Sequence, residues 1–202
     1  MKKVGKNLVV KEGFLQCKYI QNDFEILASQ IRKGTDLDSH SHQHEQFGYC
    51  FSGTFEFEYG DKKTQINANE YYILKGDIIH SACALEDFYA LDFKYIMDGD
   101  IIVGESDIKI ADWGNCNSTI FNINEHFFSK VKGTKGNNHF SISSEQYECY
   151  AMVPRKMIVN IEEEKILLEP MNIYSVPTNK NISFTEENEL IVVFVKKRRK
   201  KK

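Results

Sequence analysis

Short runs in which apolar and polar residues alternate recur along the chain and predict β-strands. Residues 55–59 (Phe-Glu-Phe-Glu-Tyr) alternate with period two, which is typical of a strand with one buried face. Residues 190–195 (Leu-Ile-Val-Val-Phe-Val) are apolar throughout and suit a strand covered on both faces, and 71–74 and 165–168 are similar. No stretch of a dozen residues has a helical period, so the pattern predicts an all-β chain.

Turn residues separate these segments at short intervals. The clearest turn signals are the glycines Gly34, Gly53, Gly60, Gly76, Gly133 and Gly136, several of them beside Asp or Asn. Many short strands with regular turns are typical of a β-sandwich or a β-barrel.

The two halves of the chain resemble each other weakly. Residues 29–35 line up with 129–134 after a one-residue gap, and Glu45-Gln46 matches Glu145-Gln146, at an offset of about 100 residues. A duplicated β-domain explains this spacing, although two all-β segments can also look alike by composition alone. We predict an N-terminal domain over 1–97 and a C-terminal domain over 98–195, joined near 97–100.

Charge is distributed unevenly along the chain. The formal net charge is -3, but residues 196–202 are all Lys or Arg, and the rest of the chain is acidic. Such a basic tail fits nucleic acid, a membrane surface or an acidic partner, and it equally fits a disordered solubilising end. Because the tail has no aromatic residue on which bases could stack, nucleic acid is not expected as a partner.

The start of the chain and the lengths of the apolar runs bear on location. Residues 1–11 contain basic residues but no apolar core of a signal peptide, and no apolar run reaches the length of a membrane span. The five cysteines are odd in number, which does not suggest a disulfide framework. We expect a cytoplasmic protein with no membrane partner.

Candidate chemistry is concentrated in residues 34–46, which contain three of the six histidines. His40 and His42 are two positions apart, so on a strand both imidazoles project to the same face. Gln46 can supply a further donor after a tight turn, and a neighbouring strand can bring in His80. Three imidazoles and an amide oxygen suit one divalent transition metal ion (Zn, Fe, Ni, Co or Mn) and do not suit Ca or Mg.

The order of these residues resembles the cupin superfamily. Its first motif, Gly-x5-His-x-His-x3,4-Glu-x6-Gly, is matched by Gly34, His40, His42 and Gly53, with Gln46 in the Glu position. The resemblance implies a jelly-roll (double-stranded β-helix) barrel with a metal ion in its mouth.

The second cupin motif, Gly-x5-Pro-x-Gly-x2-His-x3-Asn, is matched less completely. Gly76 and His80 are present, whereas its first Gly, its Pro and its final Asn are replaced by Asn69, Leu74 and Ala84. In the second half, only His139 lies near the place of the first histidine pair, and Ile182 falls where His80 would be repeated. We therefore predict a bicupin of two tandem barrels, the second degenerate and without a metal ion.

A shell of three His and one Gln resembles two cupin subgroups. One linearises unsaturated uronates in pectin breakdown, and the other is the bicupin isomerase of bacilysin biosynthesis, which acts on a keto acid. The uronate-linearising cupins have a catalytic Asp about twelve residues after the last His ligand, which Asp92 matches. Their following Phe and Arg are not matched, because Lys94 and Asp98 stand near those places.

The Gln ligand influences the expected chemistry. An amide is a neutral donor, so the ion keeps its full charge and polarises a substrate oxygen more strongly. We predict a Lewis-acid isomerase or lyase acting on a small sugar acid or keto acid. The alternatives are a non-catalytic binding or sensing module and an iron dioxygenase, which the neutral ligand disfavours. Cupins often pair through their strands, so a homodimer is expected.

Three further residues are candidates for catalytic roles. Asp92 is predicted to be a general base beside the metal or, alternatively, a carboxylate at a strand end facing solvent. His44 is either a substrate contact or proton shuttle, or an exposed turn residue. Tyr49 either lines the pocket or packs in the core, which is the commoner place for an aromatic residue on a strand.

Overall fold

A computed structural model describes residues 1–21, 24–95, 102–105, 110–134, 136–185 and 188–197. The predicted joint at 97–100 and residues 198–202 of the basic tail lie outside the described residues. The chain divides into two compact units, Gly5–Ile101 and Met1–Val4 with Ile102–Lys202. Within the described ranges all regular structure is β-strand, and no helix there could cross a membrane.

The described strands are numbered β1 to β22 in chain order. The first eleven are β1 (Lys2–Lys3), β2 (Lys6–Lys11), β3 (Phe14–Gln21), β4 (Phe24–Ile31), β5 (Asp36–His40), β6 (Gln46–Ser52), β7 (Thr54–Tyr59), β8 (Lys62–Asn67), β9 (Tyr71–Leu74), β10 (His80–Ala84) and β11 (Phe88–Tyr95). The others are β12 (Val103–Glu105), β13 (Ala111–Asp112), β14 (Asn117–Ile123), β15 (His126–Lys132), β16 (Asn138–Ile142), β17 (Tyr147–Met152), β18 (Met157–Ile161), β19 (Glu164–Leu168), β20 (Tyr174–Val176), β21 (Asn181–Phe184) and β22 (Glu189–Lys196).

The N-terminal unit consists of two antiparallel sheets around an apolar core. One sheet has the order β2-β3-β4-β11-β6-β9 and the other has the order β5-β10-β7-β8. Both sheets contribute buried side chains to one cluster, among them Ile31 and Phe88 from the first and Phe55 and Phe57 from the second. In β7 the alternate residues Phe55 and Phe57 are buried in this core, as the period-two pattern of 55–59 predicts.

The C-terminal unit repeats this arrangement. Its sheets have the orders β1-β20-β17-β22-β15-β14-β12 and β13-β16-β21-β18-β19, so β16-β21-β18-β19 reproduces the order β5-β10-β7-β8. The predicted fold class, two tandem all-β barrels, is confirmed. Strand β1 pairs with β20 through Lys2 opposite Ser175, so residues 1–4 lie in the C-terminal unit although the sequence placed them in the first domain.

The predicted strands are present, but two of them are covered on only one face. Strand β22 is buried along nearly its whole length, as its apolar run predicts. Tyr71 in β9 and Leu167 in β19 are exposed, so the prediction that these two segments are covered on both faces is wrong. Both strands lie at the edge of their sheets, where one face more easily remains open to solvent.

Apolar side chains occupy the places in the C-terminal barrel where the N-terminal barrel has histidines. In the first unit His40 lies directly opposite His80 across β5 and β10. In the second, Phe140 lies opposite Ile182 across β16 and β21, and both are fully buried in its core. Neither side chain has a donor atom for a metal ion, so these positions contribute packing only.

A buried histidine in the C-terminal barrel makes stability depend on pH. Burial lowers the pKa of His126 to about 4, and its Nδ1 accepts a hydrogen bond from the Lys196 backbone N–H at 3.1 Å. The unfolded chain therefore binds more protons here between about pH 6.5 and 4, and stability falls as pH decreases through this window. Replacing His126 with Gln is expected to remove up to about 3 kcal/mol of this pH dependence, measured by urea unfolding at pH 7.5 and 4.5. His139→Gln, which changes an exposed imidazole, is the control, and equal pH slopes for wild type and His126→Gln would contradict the assignment.

Candidate metal centre

The fold brings three predicted metal ligands together at one end of the N-terminal barrel. His40 ends β5 and His80 begins β10, and their ring centroids are 4.4 Å apart. His42 lies in the loop that follows β5, with its ring centroid 5.2 Å from that of His80 and 6.3 Å from that of His40. His80 is buried, His42 is half-buried and His40 is exposed, so the cluster extends from the barrel interior to its mouth.

Each of the three imidazoles is oriented in the same way. Every Nδ1 lies within hydrogen-bonding distance of a backbone carbonyl oxygen near it in sequence. The pairs are His40 with Asp38 at 2.8 Å, His42 with His44 at 2.6 Å and His80 with Ile78 at 2.9 Å. A carbonyl oxygen can only accept, so Nδ1 carries the proton and each Nε2 keeps its lone pair. Metal-binding histidines in proteins are commonly prepared in this way.

The environment keeps two of these rings neutral. Burial, and then the positive charge of Lys94, lower the pKa of His42. Burial also lowers the pKa of His80, and the neighbouring His40 and Lys94 add to the effect. Nε2 of His42 is buried and has no hydrogen-bond partner among the residues that the structure describes. A buried lone pair without a partner is costly unless a proton donor or a cation fills the place.

Two of the three distances between the imidazole rings fit a shared metal ion, and the third is too long. Metal–nitrogen bonds of about 2.1 Å place two imidazole centroids on one ion roughly 5 Å apart. The two pairs that include His80 match this spacing, and the His40–His42 pair is wider by about 1 Å. Accordingly, among the described residues no group of three or more His, Cys, Asp or Glu side chains is placed so that it could hold a metal ion.

Gln46 has its amide orientation fixed by a carboxylate. It begins β6, is buried, and donates from Nε2 to Oδ1 of Asp92 at 2.7 Å. A carboxylate oxygen accepts hydrogen bonds, so the NH2 group must face Asp92 and the carbonyl oxygen remains available to a cation. The chemistry of the donor set, three neutral imidazoles and one amide oxygen, therefore fits a borderline divalent ion.

Asp92 is the centre of a buried hydrogen-bond network. Besides Gln46, its carboxylate accepts from the Tyr72 hydroxyl and, at 3.2 Å, from the Ser29 hydroxyl, which in turn accepts from Gln16 at 3.2 Å. Burial raises the pKa of Asp92, although its hydrogen-bond donors and Lys94 oppose this shift. The alternative prediction, a strand-end carboxylate facing solvent, is wrong, because only 6% of Asp92 is exposed.

Tyr72 is a site residue that the sequence analysis missed. Tyr72, Gly48 and Asp92 form a row across β9, β6 and β11. A Cβ atom on Gly48 would lie 1.9 Å from Cζ of Tyr72, so only glycine lets the ring cross β6 and reach Asp92. A glycine inside a predicted strand is a signal for such a close approach, but the sequence does not show which side chain makes it.

Gly48→Ala is expected to displace the Tyr72 ring and to destabilise the protein. Overpacking of a core typically costs about 1–3 kcal/mol, and this contact is far shorter than any tolerated one, so we expect about 3 kcal/mol. Urea unfolding of the metal-free protein measures the decrease in the free energy of unfolding. Gly104→Ala is the matched control, because Gly104 also lies in a strand and a Cβ there meets nothing within 4 Å. Equal stabilities of the two variants would contradict this role of Gly48.

The loop that carries His42 is held by the turn between β9 and β10. The backbone N–H of Asp77 donates to the His42 carbonyl at 2.7 Å. A Cβ on Gly76 would lie 2.4 Å from the Gln43 carbonyl oxygen, so glycine is required where the two segments touch. The Gly76-Asp77 turn of the second motif thus supports the ligand loop of the first.

Two other predicted site residues lie outside the cluster of donors. The half-buried His44 stacks on His42 with ring centroids 5.9 Å apart, and its main contribution is the carbonyl that orients His42. Tyr49 lies on the opposite face of β6 from Gln46, where its hydroxyl donates to Asn69 at 3.3 Å and its ring packs against Phe51. The structure does not bring Tyr49 to the metal ligands.

A cavity of about 360 Å³ adjoins the cluster. Its polar lining includes His40, His80, Gln46, Asp92 and Lys94. The rest of the wall is largely apolar and continues into the core of the barrel. A small molecule in this cavity would lie beside the candidate metal position and the Asp92 carboxylate together.

Comparisons with known proteins agree with this fold. The Cupin domain family matches residues 29–88. No curated protein matches the chain. AerE from Microcystis aeruginosa superposes with a TM-score of 0.70 at 18% identity, over 96% of this chain and 98% of AerE.

Two further solved structures share the two-barrel architecture. A cupin 2 conserved barrel domain protein from Leptotrichia buccalis gives a TM-score of 0.55 at 12% identity, over 98% of this chain and 92% of that one. A variant of Bacillus subtilis oxalate decarboxylase gives 0.59 at 10% identity, over 94% of this chain and 74% of the decarboxylase. The chain thus contains a cupin domain at residues 29–88, and its fold along the whole length is bicupin-like.

Proposed function

We propose that the N-terminal barrel is a metal-dependent isomerase or lyase site for a small acid. One divalent transition metal ion would be held by His40, His42, Gln46 and His80. The observation that carries the proposal is that all four donor groups are oriented by hydrogen bonds. The Nδ1 atom of each imidazole contacts a backbone carbonyl oxygen, and the amide nitrogen of Gln46 donates to Asp92. Each group is left with one lone pair for a cation.

The donor set bears on the kind of chemistry. When bound, the ion supplies Lewis acidity toward a substrate oxygen, and neutral ligands leave its charge undiminished. Zn, Fe, Ni, Co and Mn all suit these ligands. An oxalate decarboxylase from Bacillus subtilis, similar in fold at a TM-score of 0.58, has Mn(II) centres, which supports metal use in this fold.

Asp92 is the residue of this chain that would move a proton. It lies in the cavity wall beside Gln46. From the described part of the chain, Oδ2 receives one hydrogen bond, from Ser29 at 3.2 Å, whereas Oδ1 receives two, so Oδ2 is the more available acceptor. Oδ1 is occupied by Gln46 and Tyr72, which hold the carboxylate in place. Removal of a proton next to a carbonyl and its return at another carbon would constitute an isomerisation.

The test is turnover of a panel of unsaturated uronates and 2-keto acids by protein loaded with each of the five metals. We expect at least one acid to change, with the loss or appearance of a conjugated double bond followed by ultraviolet absorbance and by NMR. His42→Ala is expected to abolish this change, and His44→Ala, which removes an adjacent imidazole, is expected to retain it. No change of any acid by the metal-loaded wild type would contradict the proposed activity.

A further inference from the structure

Lys94 is a cation in the wall of the cavity. It lies on β11, directly opposite Gln46 of β6 on one side and Glu25 of β4 on the other. Directly opposed residues of antiparallel strands project to the same face. Lys94 therefore shares a wall with Asp92, two residues earlier on the same strand, and with the candidate ligand Gln46.

The nearest acidic neighbour across the sheet is already engaged. Glu25 forms an ion pair with Lys18, which lies on β3 on the far side of β4. Within the part of the chain that the structure describes, no carboxylate lies within ion-pair distance of Lys94. A lysine that lines an apolar cavity without an ion-pair partner is available to a ligand.

The charges around Lys94 favour an anion. The four candidate metal donors are neutral, so a divalent ion would keep its full positive charge, which the carboxylates of Asp38 and Asp92 in the wall offset in part. Burial has the largest influence on the pKa of His42, His80 and Asp92, and the charge of Lys94 lowers all three. Its field therefore reaches His42, His80 and Asp92. The lining has Lys11 and Lys94 against Asp38 and Asp92, so the cavity would carry a net positive charge once a divalent ion is bound.

We propose that Lys94 is a specificity-determining residue that binds a carboxylate group of the substrate. This inference rests on the proposed function and adds the contact by which the site distinguishes acids from neutral molecules. A carboxylate on Lys94 would place the adjoining carbons beside Gln46 and Asp92, which line the same wall. The apolar wall would take the uncharged remainder of the molecule.

The experiment compares carboxylate binding by three lysine variants. The probes are D-galacturonate and phenylpyruvate, with D-galactose as an uncharged counterpart, titrated calorimetrically into metal-free and zinc-loaded protein. Lys94→Met keeps the length of the side chain without its charge, and Lys94→Arg keeps the charge. Lys63→Met is the control, because Lys63 is an exposed lysine of β8 outside the cavity.

At least one acid is expected to bind the wild type, and D-galactose is not. Lys94→Met is expected to weaken acid binding by about 10- to 100-fold, the range for a hydrogen bond to a charged group, in both metal states. Lys94→Arg and Lys63→Met are expected to stay within about threefold of the wild type. Equal affinities of Lys94→Met and wild type, or no acid binding by the wild type, would overturn the inference.

These outcomes separate the inference from the proposed function. If an acid binds in a manner that depends on Lys94 but no acid is turned over, the inference stands and the proposed enzyme activity fails. If an acid is turned over by metal-loaded Lys94→Met at the wild-type kcat/KM, the enzyme activity stands and the inference fails.

Discussion

His80→Ala is expected to reduce metal binding from one ion per chain to almost none. His80 is the buried member of the cluster, and it belongs to both of the ring pairs whose spacing fits a shared ion. Removing it leaves His40 and His42 too far apart to share an ion without a shift. Loss of one of three imidazoles is expected to weaken binding more than 100-fold, because even changes to groups behind the ligands cost 10- to 100-fold.

Elemental analysis of freshly purified protein and competition with a chelator measure this effect. His44→Ala is the matched control, since it removes an imidazole that stacks on His42 without touching the donor set. It is expected to retain about one ion per chain. Binding linked to folding gives a second readout, because metal should raise the Tm of the wild type and of His44→Ala but not that of His80→Ala. Full metal content in His80→Ala would show that the ion is bound elsewhere.

Asp92→Asn is expected to keep the metal ion and lose turnover of the acid by about 10²- to 10⁴-fold, the usual contribution of a general base. The amide can still accept from Gln46 and Tyr72 through Oδ1, so the orientation of Gln46 is preserved. Its nitrogen faces Ser29, whose hydroxyl can accept as well as donate. The variant therefore removes the proton acceptor while leaving the geometry largely intact.

The control for this variant is Asp92→Ala. It leaves the Gln46 amide without its acceptor, so it is expected to weaken metal binding by 10- to 100-fold in addition to abolishing turnover. Metal content and kcat measured on the same preparations separate the two roles. If Asp92→Asn retains wild-type kcat, Asp92 only positions Gln46 and another group accepts the proton.

The sequence was sufficient to predict the strands, because local spacing shows which faces are buried, whereas the histidine cluster was predicted through the resemblance to a family motif. The alternation in 55–59 and the apolar run 190–195 reflect which faces of a strand are buried. The prediction that His40 and His42 share one strand is wrong, because β5 ends at His40 and His42 lies in the following loop, so their pairing rests on the resemblance to a family motif. The metal role of these residues and of Gln46 and His80 remains a prediction that the proximity of the rings supports.

The Asp92 network could not be predicted, because it depends on strand register. Tyr72, Gly48 and Asp92 meet across three strands, and the positions of these residues in the sequence do not specify that row. The position of Lys94 could not be predicted either, because it lies opposite Gln46 only through the pairing of β11 with β6. Sequence alone indicated Asp92 only through a family resemblance, and it gave no indication of the hydroxyl groups that hold the carboxylate.

Tyr49 shows how a residue close in sequence can lie far from the chemistry. It is three residues after Gln46, so alternation along β6 turns it to the other face of the sheet. In contrast, the replacement of His80 by Ile182 in the second barrel was visible from the repeat offset. The structure adds that Phe140 fills the place of His40.

X-ray absorption spectroscopy of zinc-loaded protein tests the central claim, that three imidazoles and one amide oxygen share an ion in the first barrel. The expected spectrum has nitrogen and oxygen neighbours at about 2.0–2.1 Å, with outer-shell scattering from three imidazole rings and one ion per chain. The outer-shell signal should decrease in His80→Ala and be unchanged in His44→Ala. A first shell containing sulfur at about 2.3 Å, or fewer than two imidazoles in the wild type, would contradict the account.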